Sequence, residues 1–346
     1  MRAMDRYSWS VGRRLFFALP PEASHRVAGA LLGMPLPWRR LGGAVDDPVL
    51  ATTLAGIPLR NPIGLAAGFD KACAHLDGLG SLGFGYVVGG TITRAPRAGN
   101  AKPRIVRYLS QRSMVNAMGL PNPGAEAAAA NLIRSAGRPA PRLVSLADED
   151  VSDAVVAFDL LAPHADGVEL NASCPNVSWG RDRDNEAHLR ELVTAFVQRA
   201  DRPLFVKLPP FRTPVEREVV LALARIAQEA GAQGLTLGNT RPVADPGLSV
   251  GQGGLSGLAL WPQTVEVVAA VREATGPALP LNACGGVFSA DDVLACLEAG
   301  AATVQIYTAM IFEGPGVLGT LTRGLRDRLR ARGAPAADVA GTWEHA

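Results

Sequence analysis

Positions 168–176 read Val168-Glu169-Leu170-Asn171-Ala172-Ser173-Cys174-Pro175-Asn176. Val168 and Leu170 suit a buried strand, and Pro175 prevents that strand from continuing. Two amides, a hydroxyl and an ionisable thiol are thereby gathered at its C-terminal end. Such a set can donate and accept hydrogen bonds and exchange a proton near neutral pH, because a thiol's reference pKa is about 8.5. If the strand belongs to a parallel α/β barrel, that end is where active sites sit.

The elements that would place this end can be counted. Apolar runs fall at Ile63–Ala67, Tyr86–Gly90, Leu143–Leu146, Gly167–Asn171, Leu204–Leu208, Gly234–Gly238, Pro280–Cys284 and Thr303–Tyr307. Helix-like stretches lie between them at Lys71–Leu82, Val151–Leu161, Pro214–Ala230, Pro262–Ala274 and Ala290–Ala299, several opening after Ser, Thr or Pro. Eight alternating strands predict a (β/α)8 TIM barrel. An open doubly wound sheet competes, but no GxGxxG follows the first strand. The expected units are a helical extension over 1–45, a barrel over 46–335 and a tail over 336–346.

The strands end in polar or glycine-rich punctuation: Ala66 to Lys71, Gly89-Gly90-Thr91, Lys207-Leu208-Pro209-Pro210, Asn239-Thr240, Gly285-Gly286 and Tyr307-Thr308. Glycines after the last two strands allow backbone amides to approach a phosphate, beside helix N-termini with positive dipole ends. A phosphorylated cofactor is the expectation.

Composition narrows the class. The 346 residues are 48% hydrophobic and 19% charged, enough for a large core and unlike a disordered chain. The 34 basic residues are matched by 32 acidic ones, for a net charge of +2, so nucleic acid is not an expected partner. Four cysteines, Cys73, Cys174, Cys284 and Cys296, form no CxxC pair or zinc spacing, which favours a reduced cytosolic setting and predicts no metal site. Any redox chemistry needs another cofactor.

Several separately spaced segments carry a resemblance: Asn61 to Lys71, Lys102 to Arg107, Asn116 to Gly119, Asn171 to Asn176, Gly253 to Gly257 and Gln305 to Thr308. Together they resemble the flavin-dependent dihydroorotate dehydrogenases of pyrimidine synthesis, over about Pro20 to Pro315. The resemblance implies an FMN-containing barrel that oxidises dihydroorotate to orotate. Such an oxidation removes a proton from one carbon and a hydride from the next, so the protein must supply a base. By resemblance that base is Cys174. Substrate would be held by Lys71, Asn116, Asn171, Asn176, Asn239 and Thr240, whose amides match a ring of alternating C=O and N–H groups. FMN would be held by Ala67, Gly68, Thr91, Asn171, Lys207, Gly257, Gly285, Gly286, Tyr307 and Thr308, with Lys207 beside its pyrimidine edge.

The family's subclass is mixed here. Cysteine within Asn-x-Ser-Cys-Pro-Asn, Asn116 to Asn122 and Val206 to Pro210 resemble the soluble class. Pro21 to Arg26 resembles the N-terminal extension of the membrane-associated class, and His25, Arg107 and Tyr307 match positions lining its quinone path. Ser145 stands where that class has Asn, Gly238 replaces a threonine, and Asp148-Glu149-Asp150 lacks the basic wording. Two short helical patterns, from Arg13 to Leu19 and from Val27 to Arg40, are broken by prolines. No run approaches the ~20 apolar residues that span a bilayer, and a signal peptide is not expected. An interfacial helix pair is expected instead, on the inner face of the cell membrane, with a quinone as acceptor. Relatives linked to fumarate or NAD, a flavoenzyme for another cyclic amide, and a flavin-binding barrel without turnover are the alternatives. The sequence sets no oligomeric state.

Overall fold

A computed structural model describes residues 12–135, 137–147, 150–173 and 185–341. The eight apolar runs are parallel strands that close into a barrel in chain order: β1 (Ile63–Asp70), β2 (Tyr86–Ile92), β3 (Arg142–Leu146), β4 (Gly167–Asn171), β5 (Leu204–Leu208), β6 (Gly234–Leu237), β7 (Leu281–Cys284) and β8 (Thr303–Ile306). The (β/α)8 barrel read from their alternation is the fold. Strands flanked by crossover helices are covered on their outer face, and this is why they read as continuous apolar runs.

Helices Ala125–Arg134, Val151–Leu161, Asn185–Val197, Pro214–Glu229, Trp261–Thr275, Ala290–Glu298 and Val317–Arg332 follow one another around the outside. Phe158 and Phe196 stack with ring centroids 4.7 Å apart and join two of these helices. Thr213 with Glu216, and Ser289 with Asp292, form capping boxes that start two others. At the N-terminal end of the barrel the hairpin Thr52–Leu54 and Ile57–Leu59 closes the floor. Its Leu54, Ile57 and Leu59 pack with Tyr86, Val88, Leu143 and Phe205.

Three details depart from the sequence reading. Strand β1 runs to Asp70 rather than Ala67, with a register shift between Leu65 and Asp70. The expected helix Lys71–Leu82 is only Leu76–Ser81. Asp70 explains this: its carboxylate accepts from the backbone N–H groups of Ala72 (3.3 Å), Ala74 (3.0 Å) and His75 (2.6 Å), holding 71–75 as a turn. Finally, an antiparallel sheet with strand order Arg241–Ala244, Gln252–Gly257, Ser113–Asn116 and Ile105–Tyr108 was not expected at all. It is built from two excursions, after β2 and after β6.

The extension is helical at 12–18, Pro21–Leu32 and Trp38–Gly42. The segment that follows is pinned to the barrel: the Val45 N–H donates to Thr322 Oγ1 at 3.1 Å, and Arg330 pairs with Asp47 at 2.6 Å. Within the stretch set aside as a tail, Ala336–Gly341 is a short helix with Ala336 and Val339 buried. Among the described residues no helix is long and apolar enough to cross a membrane.

Candidate active site

The C-terminal ends of the barrel strands, the antiparallel sheet and the extension enclose one cavity of about 1100 Å³. Its lining brings together Lys71, Asn116, Asn171, Asn239 and Thr240 with Ala67, Gly68, Thr91, Lys207, Gly257, Gly285, Gly286 and Thr308, and also with His25, Arg107 and Tyr307. Cys174 and Asn176 lie outside the described residues.

A run of side-chain hydrogen bonds crosses the strand ends. Thr91 Oγ1 and Ser145 Oγ are 3.0 Å apart, and Asn171 Nδ2 donates to Thr91 Oγ1 at 3.1 Å. Asn171 Oδ1 accepts from the Ser173 hydroxyl at 2.8 Å, and Asn239 Nδ2 donates to Ser173 Oγ at 2.7 Å. The chain of contacts reaches β2, β3, β4 and the segment after β6. Ser145, one of the departures from the family wording, is fully buried here and serves to fix Thr91. On the opposite wall Asn116 Nδ2 donates to the Gly254 carbonyl at 3.4 Å. A Cβ at Gly254 would fall 1.9 Å from Thr240 Oγ1, so glycine there is what lets the sheet draw Asn116 and Thr240 together.

Two lysines bring charge into the cavity. Lys71 Nζ donates to the Gly68 carbonyl at 2.6 Å, and desolvation pulls its ammonium down to about 8 against the opposing pull of Asp70. Lys207, in β5, is buried with Nζ 3.9 Å from Glu169 Oε1. The other end of the cavity is a cradle of backbone. Gly257 has φ +101°, and a Cβ there would meet the Arg112 carbonyl at 2.4 Å; Gly286 has φ +67°, and a Cβ would meet the Trp261 nitrogen at 2.4 Å. Thr308 Oγ1 donates to Ser256 Oγ at 3.2 Å beside them. Bare backbone amides, two hydroxyls and no carboxylate among these residues suit an anionic group such as a phosphate.

The extension forms the remaining wall. His25 packs on Phe69, and Phe69 on Tyr307, with centroids 5.5 and 5.7 Å apart. Burial pushes the Tyr307 phenol up to about 12 and holds His25 down at about 4, the positive charges of Lys71 and His75 adding to the latter, so both are neutral at pH 7. Arg107 donates to the carbonyls of Phe16 and Phe17 at 3.4 Å and lies 4.8 Å from the Phe17 ring centroid. It closes the C-terminal end of the first helix, where a cation is favoured.

Residues 49–329 match the family model described as dihydroorotate dehydrogenase. The chain belongs to the dihydroorotate dehydrogenase family. Curated relatives named dihydroorotate dehydrogenase (quinone) include one from Sphingopyxis alaskensis, 37% identical over 94% of this chain and 93% of that one, and one from Leifsonia xyli subsp. xyli, 39% identical over 90% and 96%. A solved dihydroorotate dehydrogenase from Eimeria tenella, in complex with ferulenol, superposes with a TM-score of 0.83 at 27% identity, covering 93% of this chain and 95% of that one.

Two features of this dihydroorotate dehydrogenase site escaped sequence reasoning. Glu22 of the extension accepts from Arg104 Nε at 2.6 Å and lies 3.0 Å from Lys102 Nζ, and these contacts hold its carboxyl below the usual range. Arg104 also donates to the Ala98 and Asn100 carbonyls, so it joins the extension to the rim of the cavity. Glu169 is the other, and it carried a signal: a charged residue between two apolar ones in a buried strand must point into the barrel.

Proposed function

We propose that this chain oxidises dihydroorotate to orotate with bound FMN and passes the electrons to a quinone at a membrane surface. The observation that carries this reading is the continuity of one cavity from the phosphate-type cradle, past the amide cluster, to the extension. FMN supplies the hydride acceptor and, once reduced, the electron donor for the second substrate. The chain's residues do the rest. Asn116, Asn171, Asn239 and Thr240 hold the planar ring, Lys71 meets its carboxylate, and Cys174, three residues after β4 in the sequence, takes the proton. Gly257, Gly285, Gly286 and Thr308 hold the cofactor's phosphate, and Lys207 places positive charge by its ring.

Membrane docking rests on the exposed apolar side chains of the extension, Leu15, Leu19, Val27, Met34 and Leu36, interleaved with exposed Arg13, Arg14 and Arg26. The expected result is yellow protein with about one FMN per chain, reduced by dihydroorotate and reoxidised fastest by quinone when quinone, fumarate and NAD are compared in parallel. A colourless chain that cannot be reconstituted with FMN sinks the reading, and a clear preference for fumarate or NAD replaces the acceptor.

Lys71 gives this function a pH limit. Its ammonium titrates at about 8 in the free protein, and above that value the positive charge facing the substrate carboxylate is lost. Thus kcat/KM for dihydroorotate is expected to fall as pH rises through about 8, and Lys71→Met should be slower and lack that alkaline limb. A Lys71→Met profile with the limb intact would assign it to another group.

A further inference from the structure

Inside the barrel, one layer below the cavity, lies a carboxylate that the reaction above does not use. Glu169 of β4 is fully buried, and it lies beside Lys207 of the neighbouring strand β5. Its Oε2 accepts from Thr236 Oγ1 at 2.8 Å and from Gln305 Nε2 at 3.4 Å. Its Oε1 accepts no hydrogen bond among the described residues. The polar layer continues around the interior: Asn282 Nδ2 donates to Thr236 Oγ1 at 3.3 Å, Thr303 donates to Asn282 Oδ1, and the Tyr86 hydroxyl lies 3.0 Å from Thr303 Oγ1.

An apolar filling would be the ordinary way to pack a barrel of this size, since bulky branched side chains dominate such interiors. Burying a carboxylate and an ammonium together gains little stability over a hydrophobic pair of the same volume. The placement is nonetheless specific. Lys207 lines the cavity and Glu169 does not, so the carboxylate sits behind the lysine as seen from the ligand. The 3.9 Å separation is too long for a hydrogen bond and short enough for a strong charge interaction in a dry interior.

We infer that Glu169 is a positioning residue for Lys207: it holds the ammonium at the cavity floor and offsets part of its positive charge, so that the cofactor above is easier to reoxidise. This rests on the proposal that FMN binds in the cavity. A cation beside the flavin favours the reduced form, because reduction adds negative charge there. The buried anion behind that cation opposes the effect. A chain that must hand electrons on to a second substrate has a use for such opposition, whereas tight retention of the electrons would stall it.

The test is the redox equilibrium of the bound flavin against a reference dye, read spectroscopically with no turnover. In Glu169→Gln the reduced-to-oxidised ratio at a fixed dye potential is expected to rise about tenfold, close to 30 mV for a two-electron couple. That is the scale of one unit charge acting across about 10 Å of protein interior. Glu169→Asp keeps the charge but draws it back by one methylene, and should shift the ratio in the same direction by less. It also serves if the glutamine variant does not fold. A merely structural glutamate would lower the thermal midpoint in these variants and leave the ratio unmoved. Yellow wild-type protein with an unchanged or lowered ratio in whichever variant folds overturns the role of Glu169 alone. Wild-type protein that takes up no FMN overturns the reading beneath it as well.

Discussion

Cys174→Ala is expected to bind FMN normally and to be reduced by dihydroorotate about 10²-fold or more slowly than the unchanged chain, the usual scale for a general base. The expectation rests on what surrounds the strand end. Asn171 and Ser173, immediately upstream in the sequence, are fixed at the barrel mouth by hydrogen bonds to Thr91 and Asn239. Cys73 and Cys296 are poor substitutes, since both are buried and desolvation raises their thiols far above neutral. Cys174→Ser should keep part of the rate, with its pH dependence displaced upward because a hydroxyl is the weaker acid. The measurement is the anaerobic bleaching of flavin absorbance in stopped flow. Wild-type reduction by Cys174→Ala would remove Cys174 from the mechanism.

Removing residues 1–36 should separate the two half-reactions. The deletion stops before the helix Trp38–Gly42, whose Gly42 packs against the Leu82 carbonyl closely enough that a Cβ would collide with it. Flavin reduction by dihydroorotate should persist, because the amide cluster is anchored on barrel strands and the antiparallel sheet. Reoxidation by quinone should fall by about 10²-fold or more, the scale of losing a positioned encounter. Stimulation by detergent or lipid should vanish with Leu15, Leu19, Val27 and Met34. In the full chain, neutralising Arg13 and Arg14 should weaken binding to anionic vesicles by about 1 kcal/mol per residue at low salt, and less as salt rises. A truncated protein that still reduces quinone at the full rate would place this chain with the fumarate- or NAD-linked relatives.

The barrel was legible because parallel strands covered by helices write themselves as unbroken apolar runs, and because their polar ends mark one face of the fold. Gly167–Asn171 and Leu204–Leu208 coincide with β4 and β5 residue for residue. The antiparallel sheet was not legible. Its four-residue strand Ile105–Tyr108 is half-buried along its length, and Arg241–Ala244 alternates with exposed positions. Its two outer pairings are short hairpins, but the central one joins Ser113–Asn116 to Gln252–Gly257, more than a hundred residues on, so nothing local in the sequence announces the four-stranded sheet. The shortened helix after β1 failed for a different reason: apolar spacing fitted a helix from Lys71, but the Asp70 carboxylate competes for the backbone N–H groups that would begin it. Among the site residues, the strand-end amides could be read from type and position. Glu22 and Arg104 could not, since each looks like an ordinary surface charge until the extension is folded against the rim.

The extension's polar and aromatic contacts with the rest of the fold include Glu22 with Arg104 and Lys102, Arg107 with the helix-end carbonyls, His25 against Phe69, and Phe17 against Phe312 at 5.3 Å, while Leu32 joins the main core. None of them passes through the hydrogen-bonded amides or the glycine cradle. On the proposed function, a seam of that kind makes the choice of electron acceptor separable from the chemistry of the first substrate. Descent with change could then add, exchange or discard the extension while the barrel strand ends stayed as they were. The resemblance of the Cys174 motif to one class and of Pro21 to Arg26 to another fits two parts that can change independently.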